Sequence, residues 1–165
     1  MAHFDTEPNA QQCLLDKLID YQPEVRAEAQ QTRSESLRQL RASVKRDLEW
    51  LLNSIRSIEP VPEGYTELRK SLFYYGLPDI SSVTLESVQD EQQLLRSLET
   101  AITMFEPRLT RVHVVTYERV TKKKQAIQFY VEALLMVDPS PERISFDTVL
   151  EIAKGSYQVR DEQRA

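Results

Sequence analysis

The chain has 165 residues, 41% of them hydrophobic and 28% charged, with 3 glycines and 8 prolines. That supports one core and excludes general disorder and collagen-like or linker-dominated architectures. A formal net charge of -5 gives no overall field toward DNA, RNA or an anionic membrane. The lone Cys13 closes no intrachain disulfide, Asp5, Glu7 and Asp16 interrupt any leading apolar core, and no apolar run nears the roughly 20 residues of a bilayer span. A soluble cytoplasmic protein without cofactor is the expectation.

In chain order, Gln11 to Asp20 places Leu14, Leu15, Leu18 and Ile19 at helical spacing, a short amphipathic helix. At that length it needs packing to persist, either on its own core or on another protein. Pro23 to Ser36 reads as a polar spacer, so residues 1–33 form an N-terminal extension and 34–165 the folded domain. Leu37, Leu40, Val44, Leu48, Leu51, Leu52 and Ile55 then recur at three and four, with charges on the other faces and Trp50 beside the stripe. This is a long amphipathic helix, ended before Pro60 and Pro62.

A shorter helix is predicted from Thr66 to Tyr75, stopped by Gly76 in the left-handed region, with Pro78 following. Ser87-Val88-Gln89-Asp90 has the form of a capping box, and Leu94, Leu95, Leu98, Ala101, Ile102 and Phe105 form the stripe of the helix that follows. Each large residue of that stripe is worth roughly 1.5 to 3 kcal/mol when buried. Leu109 to Arg119, Ala126 to Val137, Ile144 to Ile152 and Ser156 to Arg160 read as strands. Turns fall at Thr121 to Gln125, which includes Lys122-Lys123-Lys124, at Asp138-Pro139-Ser140-Pro141, and at Lys154-Gly155. Helices first and a strand meander second give an α+β fold, with amphipathic helices on one face of a mostly antiparallel sheet formed by the C-terminal half.

Few residues offer chemistry. His3 and His113 have no second ligand at metal spacing, no glycine-rich loop cradles phosphate, and no Gly-x-Ser-x-Gly occurs. Cys13 reads as a small packing residue. The feature of note is Glu106-Pro107-Arg108, at the junction of the last helix and the first strand. Pro107 disfavours the α region at Glu106, and an extended backbone beyond it projects Glu106 and Arg108 to the same side. The expected result is an outward, proline-fixed acid and base that meet another subunit. As a glycosidase acid, Glu106 lacks a constrained partner, since Glu118, Asp147 and Glu151 face anywhere, and Arg108 favours its ionised form.

Ser43 to Asn53, Tyr75-Gly76-Leu77-Pro78-Asp79 and Ile102 to Leu109, with its Glu-Pro-Arg triplet, resemble the small baseplate wedge subunit of contractile tails, once labelled lysozyme-like. Leu14-Leu15-Asp16-Lys17-Leu18 is similar to the start of its bacterial branch, the TssE subunits of type VI secretion systems. The resemblance covers about Cys13 to Val159, with a mild departure at Asn53-Ser54-Ile55-Arg56, where a more basic run is expected. It implies a structural, non-enzymatic baseplate component that associates with TssF, TssG and TssK and touches the TssB/TssC sheath where polymerisation begins. It also implies that Glu106, Pro107 and Arg108 serve baseplate assembly; the amphipathic reading of the first helix adds Leu14, Leu15 and Leu18 as a further partner-binding set. An open strand edge, expected around Ile144 to Arg160, is the place to template the first sheath ring. A regulatory anti-adapter of similar fold and a peptidoglycan hydrolase are the alternatives.

Overall fold

The computed structural model describes residues 13–19, 23–24, 32–79, 88–120, 126–151 and 155–161, of which 117–120 by their backbone. The Lys122-Lys123-Lys124 turn and Ser87 of the predicted capping box lie outside the described residues. Among the described residues three α-helices precede a four-stranded sheet: α1 Leu14–Leu18, α2 Arg33–Asn53, α3 Val88–Phe105, then β1 Leu109–Val120, β2 Ala126–Leu135, β3 Glu142–Glu151 and β4 Ser156–Asp161. The strands pair antiparallel in the order β1-β2-β3-β4, the meander expected from short connections.

The α2 helix begins at a capping box, in which the Thr32 side chain accepts from the Glu35 N–H while Glu35 reaches back to the Thr32 N–H at 2.9 Å. Its stripe buries Leu40, Val44, Leu48, Leu51 and Leu52, and α3 buries Leu94, Leu98, Ala101 and Ile102. These meet the inward residues of the sheet: Ile127, Phe129, Val131, Ala133 and Leu135 on β2, with Ile144, Phe146 and Leu150 on β3. The α3 helix packs under β1 and α2 under β4, so one helical layer covers one face. Ile55, placed in the α2 stripe by sequence, instead lies beyond the helix end and is exposed.

The helix predicted from Thr66 to Tyr75 is not one α-helix. It is two 3₁₀ turns, Thr66–Lys70 and Leu72–Tyr74, separated at Ser71. Ser71 Oγ donates to the Leu68 carbonyl at 2.8 Å and accepts from the Phe73 N–H at 3.2 Å, so its side chain ends one turn and caps the next. Leu72 is exposed in consequence. Gly76 is left-handed as predicted, at φ 103, for a tertiary reason as well as a local one. Leu77 donates to the Ser54 carbonyl at 2.8 Å and Arg56 to the Leu77 carbonyl at 2.9 Å, stitching the end of α2 to this segment. A Cβ at Gly76 would stand 2.3 Å from the Ser54 oxygen.

The two edges of the sheet are β1 and β4, so β3, included in the expected open edge, is interior along Phe146 to Glu151. Each edge is already engaged by a helix. Glu99 of α3 accepts from the Val114 N–H at 2.9 Å. Asn53, the last residue of α2, accepts from the Tyr157 N–H at 2.9 Å and donates to the Tyr157 carbonyl at 2.9 Å, as a neighbouring strand would.

Candidate functional site

Glu106 follows the last turn of α3, donating its N–H to Ile102 at 2.9 Å, and its own carbonyl accepts from the Leu109 N–H at 3.1 Å. That bond closes a turn through Pro107 and Arg108, so the backbone beyond Glu106 folds sharply before β1 begins and is not extended as predicted. The two side chains do share a side, but the wrong one for an outward pair. Glu106 is 4% exposed, and its carboxylate receives Arg108 Nε at 2.7 Å, Arg108 Nη2 and the Arg108 N–H at 3.2 Å. Only Pro107 of the triplet is exposed.

Arg108 points under α2. Its Nη1 donates to Ser43 Oγ at 3.0 Å and its Nη2 to Asp47 Oδ2 at 2.6 Å, while its carbonyl accepts from the Met136 N–H at 2.9 Å at the end of β2. Ser43 and Asp47 are four apart on one helix face, which aims both at the same guanidinium. Asp47 also receives Arg46 through Nε at 3.0 Å and Nη2 at 2.8 Å. Arg46 then reaches Asp16 of α1 at 2.9 Å, and the Arg46 guanidinium lies 5.1 Å from the Trp50 ring centre. Asp16, Asp47, Glu106, Arg46 and Arg108 thus form one cluster of three acids and two bases, joined by Ser43.

Asp16 is the link to the N-terminal segment. It accepts from Ser43 Oγ at 2.6 Å and from Cys13 Sγ at 2.8 Å, and Cys13 caps α1 by accepting from the Asp16 N–H at 3.4 Å. Cys13 is therefore a helix cap, not the packing residue expected from sequence. Burial raises the Asp16 pKa, but hydrogen bonds from Cys13, Ser43 and Arg46 outweigh it and hold the carboxyl at about 2. Burial likewise opposes the charge on Arg108, and the hydrogen bonds and charges of Glu106 and Asp47 overcome it and raise its pKa. Burial, followed by the charges of Asp47 and Glu106, raises the pKa of nearby Tyr75.

The leucines of α1 do the opposite of what a core helix does. Leu14 and Leu18 are 74% and 73% exposed, Leu15 is 42% exposed, and the helix buries no residue. It is attached by its polar side, through Asp16, and offers its apolar side to solvent.

Sequence reasoning placed Glu106, Arg108 and the leucines but missed Asp16, Ser43, Arg46 and Asp47. A signal was present: the segments around Asp16, around Ser43 to Asp47 and around Glu106 are the stretches that carry the family resemblance, and they meet here. Residues 38–140 match the family described as baseplate wedge protein gp25. The chain belongs to that baseplate wedge family. As a family member it is a structural baseplate component, and the matched span contains Ser43, Arg46, Asp47, Glu106 and Arg108 but not α1. Among solved structures, a chain of the baseplate complex from the type VI secretion system overlays with a TM-score of 0.47 at 19% identity, covering 76% of this chain and 97% of that one. No curated protein matches.

Among the described residues no group of histidine, cysteine and carboxylate side chains is arranged to hold a metal ion, and no helix is long and apolar enough to cross a membrane. His113 is largely exposed, with Nδ1 3.0 Å from Glu99.

Proposed function

We propose that this wedge subunit belongs to a type VI secretion baseplate in the cytoplasm. In this reading it associates with TssF, TssG and TssK, joins the wedge to the TssB/TssC sheath and helps start sheath polymerisation. The observation that carries the reading is the attachment of α1, whose carboxylate is anchored in the Glu106-Arg108 cluster while Leu14, Leu15 and Leu18 face away. An apolar helix face presented on a preset anchor lowers the entropy lost when a partner closes over it.

The Glu-Pro-Arg triplet then serves assembly in two ways. Glu106 and Arg108 hold Asp47, Ser43 and, through them, α1 in register, and exposed Pro107 adds a rigid contact at the corner. For the sheath, the proposed contact is the β4 edge beyond the residue that Asn53 engages. Tyr157 is engaged by Asn53, and the period of two along a strand turns the backbone groups of Val159 and Asp161 to the same side.

A catalytic reading has the geometry against it. Glu106 is sealed from solvent against Arg108, while Asp147 and Glu151 alternate with buried Phe146, Thr148 and Leu150 on the opposite face of the sheet. Capture of the tagged protein from cells tests the proposal. Several baseplate components, lost together on Leu14→Glu with Leu18→Glu, support it. A single signalling partner would favour the anti-adapter.

A further inference from the structure

A second surface, formed by β1, β2 and β3 together with Arg41 of α2, has a charge out of keeping with the chain. A cavity of about 540 Å³ is lined by Arg41 of α2, Arg111 and His113 of β1, Glu132 of β2, and Arg143 and Ser145 of β3. The register explains the grouping: His113 lies opposite Glu132 and Glu132 opposite Ser145, while Thr110 lies opposite Leu134 and Leu134 opposite Arg143. Arg111 falls between these two rows. Among the described residues three guanidiniums and Glu132 line it, with Glu99 against His113 at its side, a local excess of positive charge in a protein of net charge -5.

Arg111 arrives there by an irregularity. Between the buried pairs Leu109 with Leu135 and Val114 with Val131, β1 takes five residue steps and β2 four. The register shift between Thr110 and His113 absorbs the extra residue, with Arg111 at φ 51. The bulge lets Val112 pack against the core while Arg111 stays exposed. Glycine takes that conformation without a steric cost, whereas any L side chain is strained in it. Unlike Arg46 and Arg108, none of Arg41, Arg111 and Arg143 pairs with a carboxylate among the described residues.

We propose that this cavity docks an acidic peptide segment of a partner protein, whose Asp or Glu carboxylates are gripped by Arg111, Arg143 and Arg41. Arginine matches carboxylate geometry with two parallel bonds, and Ser145 adds a hydroxyl. Glu132 among the arginines interrupts the run of positive charge that a continuous polyphosphate would need, so a short segment with spaced carboxylates is the better occupant than nucleic acid. The proposal does not depend on the baseplate assignment.

The test uses the full chain and a fluorescein-labelled peptide of alternating glutamate and serine followed by anisotropy. Binding should weaken as salt is raised, and Arg111→Gly and Arg143→Ser should each weaken it by at least about tenfold. Arg69→Ser, away from the cavity, should leave it unchanged. Arg111→Gly should also melt no lower than wild type, since glycine accepts the positive φ, so lost binding cannot be put down to unfolding. Undiminished binding in both cavity variants, equal loss in Arg69→Ser, or tighter binding of a labelled RNA oligomer than of the peptide would each overturn it.

Discussion

Arg108 Nη2 donates to Asp47 Oδ2 at 2.6 Å, across 61 positions of sequence, and so fixes the corner after α3 against the middle of α2. Asp47 passes that constraint on, because its other oxygen accepts from Arg46, which in turn holds Asp16 of α1. The pair therefore couples the position of the N-terminal helix to the Glu-Pro-Arg turn.

Arg108→Ala should destabilise the fold by about 3 kcal/mol, since it leaves the buried Glu106 carboxylate and Asp47 without their common cation. Urea denaturation followed by circular dichroism measures it. A stability within about 0.5 kcal/mol of wild type would mean that the cluster contributes nothing to folding and that the triplet acts elsewhere.

Asp16→Asn should free α1 while leaving the rest of the fold in place. Amide exchange over Leu14 to Ile19 is expected to accelerate strongly, with the core strands unchanged. Continued protection of those amides would show that α1 is held by something other than its carboxylate.

The same residue sets a pH dependence. The Asp16 pKa is lowered in the folded state, from 3.8 to about 2, so its stabilisation is complete above about pH 4 and is lost as pH falls through 2. Its size is about 2 kcal/mol. The stability gap between wild type and Asp16→Asn should narrow through that window; a gap that persists below it would mean the carboxyl charge is not what is lost.

Leu14→Glu combined with Leu18→Glu should leave the melting temperature of the isolated protein almost unchanged, because both side chains are already in solvent. Partner capture should fall sharply. A protein that melts much lower would place these leucines against its own core.

Gly76→Ala should cost at least about 2 kcal/mol, from a strained positive φ and a methyl group 2.3 Å from the Ser54 oxygen. Thermal melts compare it with Gly64→Ala, where φ is also positive but the space around the Cβ is open. Equal losses at the two sites would leave the contact with Ser54 without consequence.

The helices, strands and meander were legible because each rests on a local period: three and four along α2 and α3, two along β2 and β3. The 3₁₀ turns after α2 were not, since Ser71 competes with the helix through bonds that an apolar pattern does not record. The bulge at Arg111 is likewise invisible in a run of β-forming residues, because it is defined by the partner strand.

The site divides in the same way. Sequence alone determined that Leu14, Leu15 and Leu18 share a helix face, which follows from neighbours along the chain, and that Pro107 makes a corner after α3; Glu106 and Arg108 share a side through the turn there and not through the extended backbone expected. Which way each set faces was decided only by the tertiary structure. Asp47 and Ser43 draw Arg108 inward, and Asp16 turns the polar side of α1 to the domain and its leucines outward. Orientation depends on where distant charges find partners sheltered from water, and that is a property of the packed molecule.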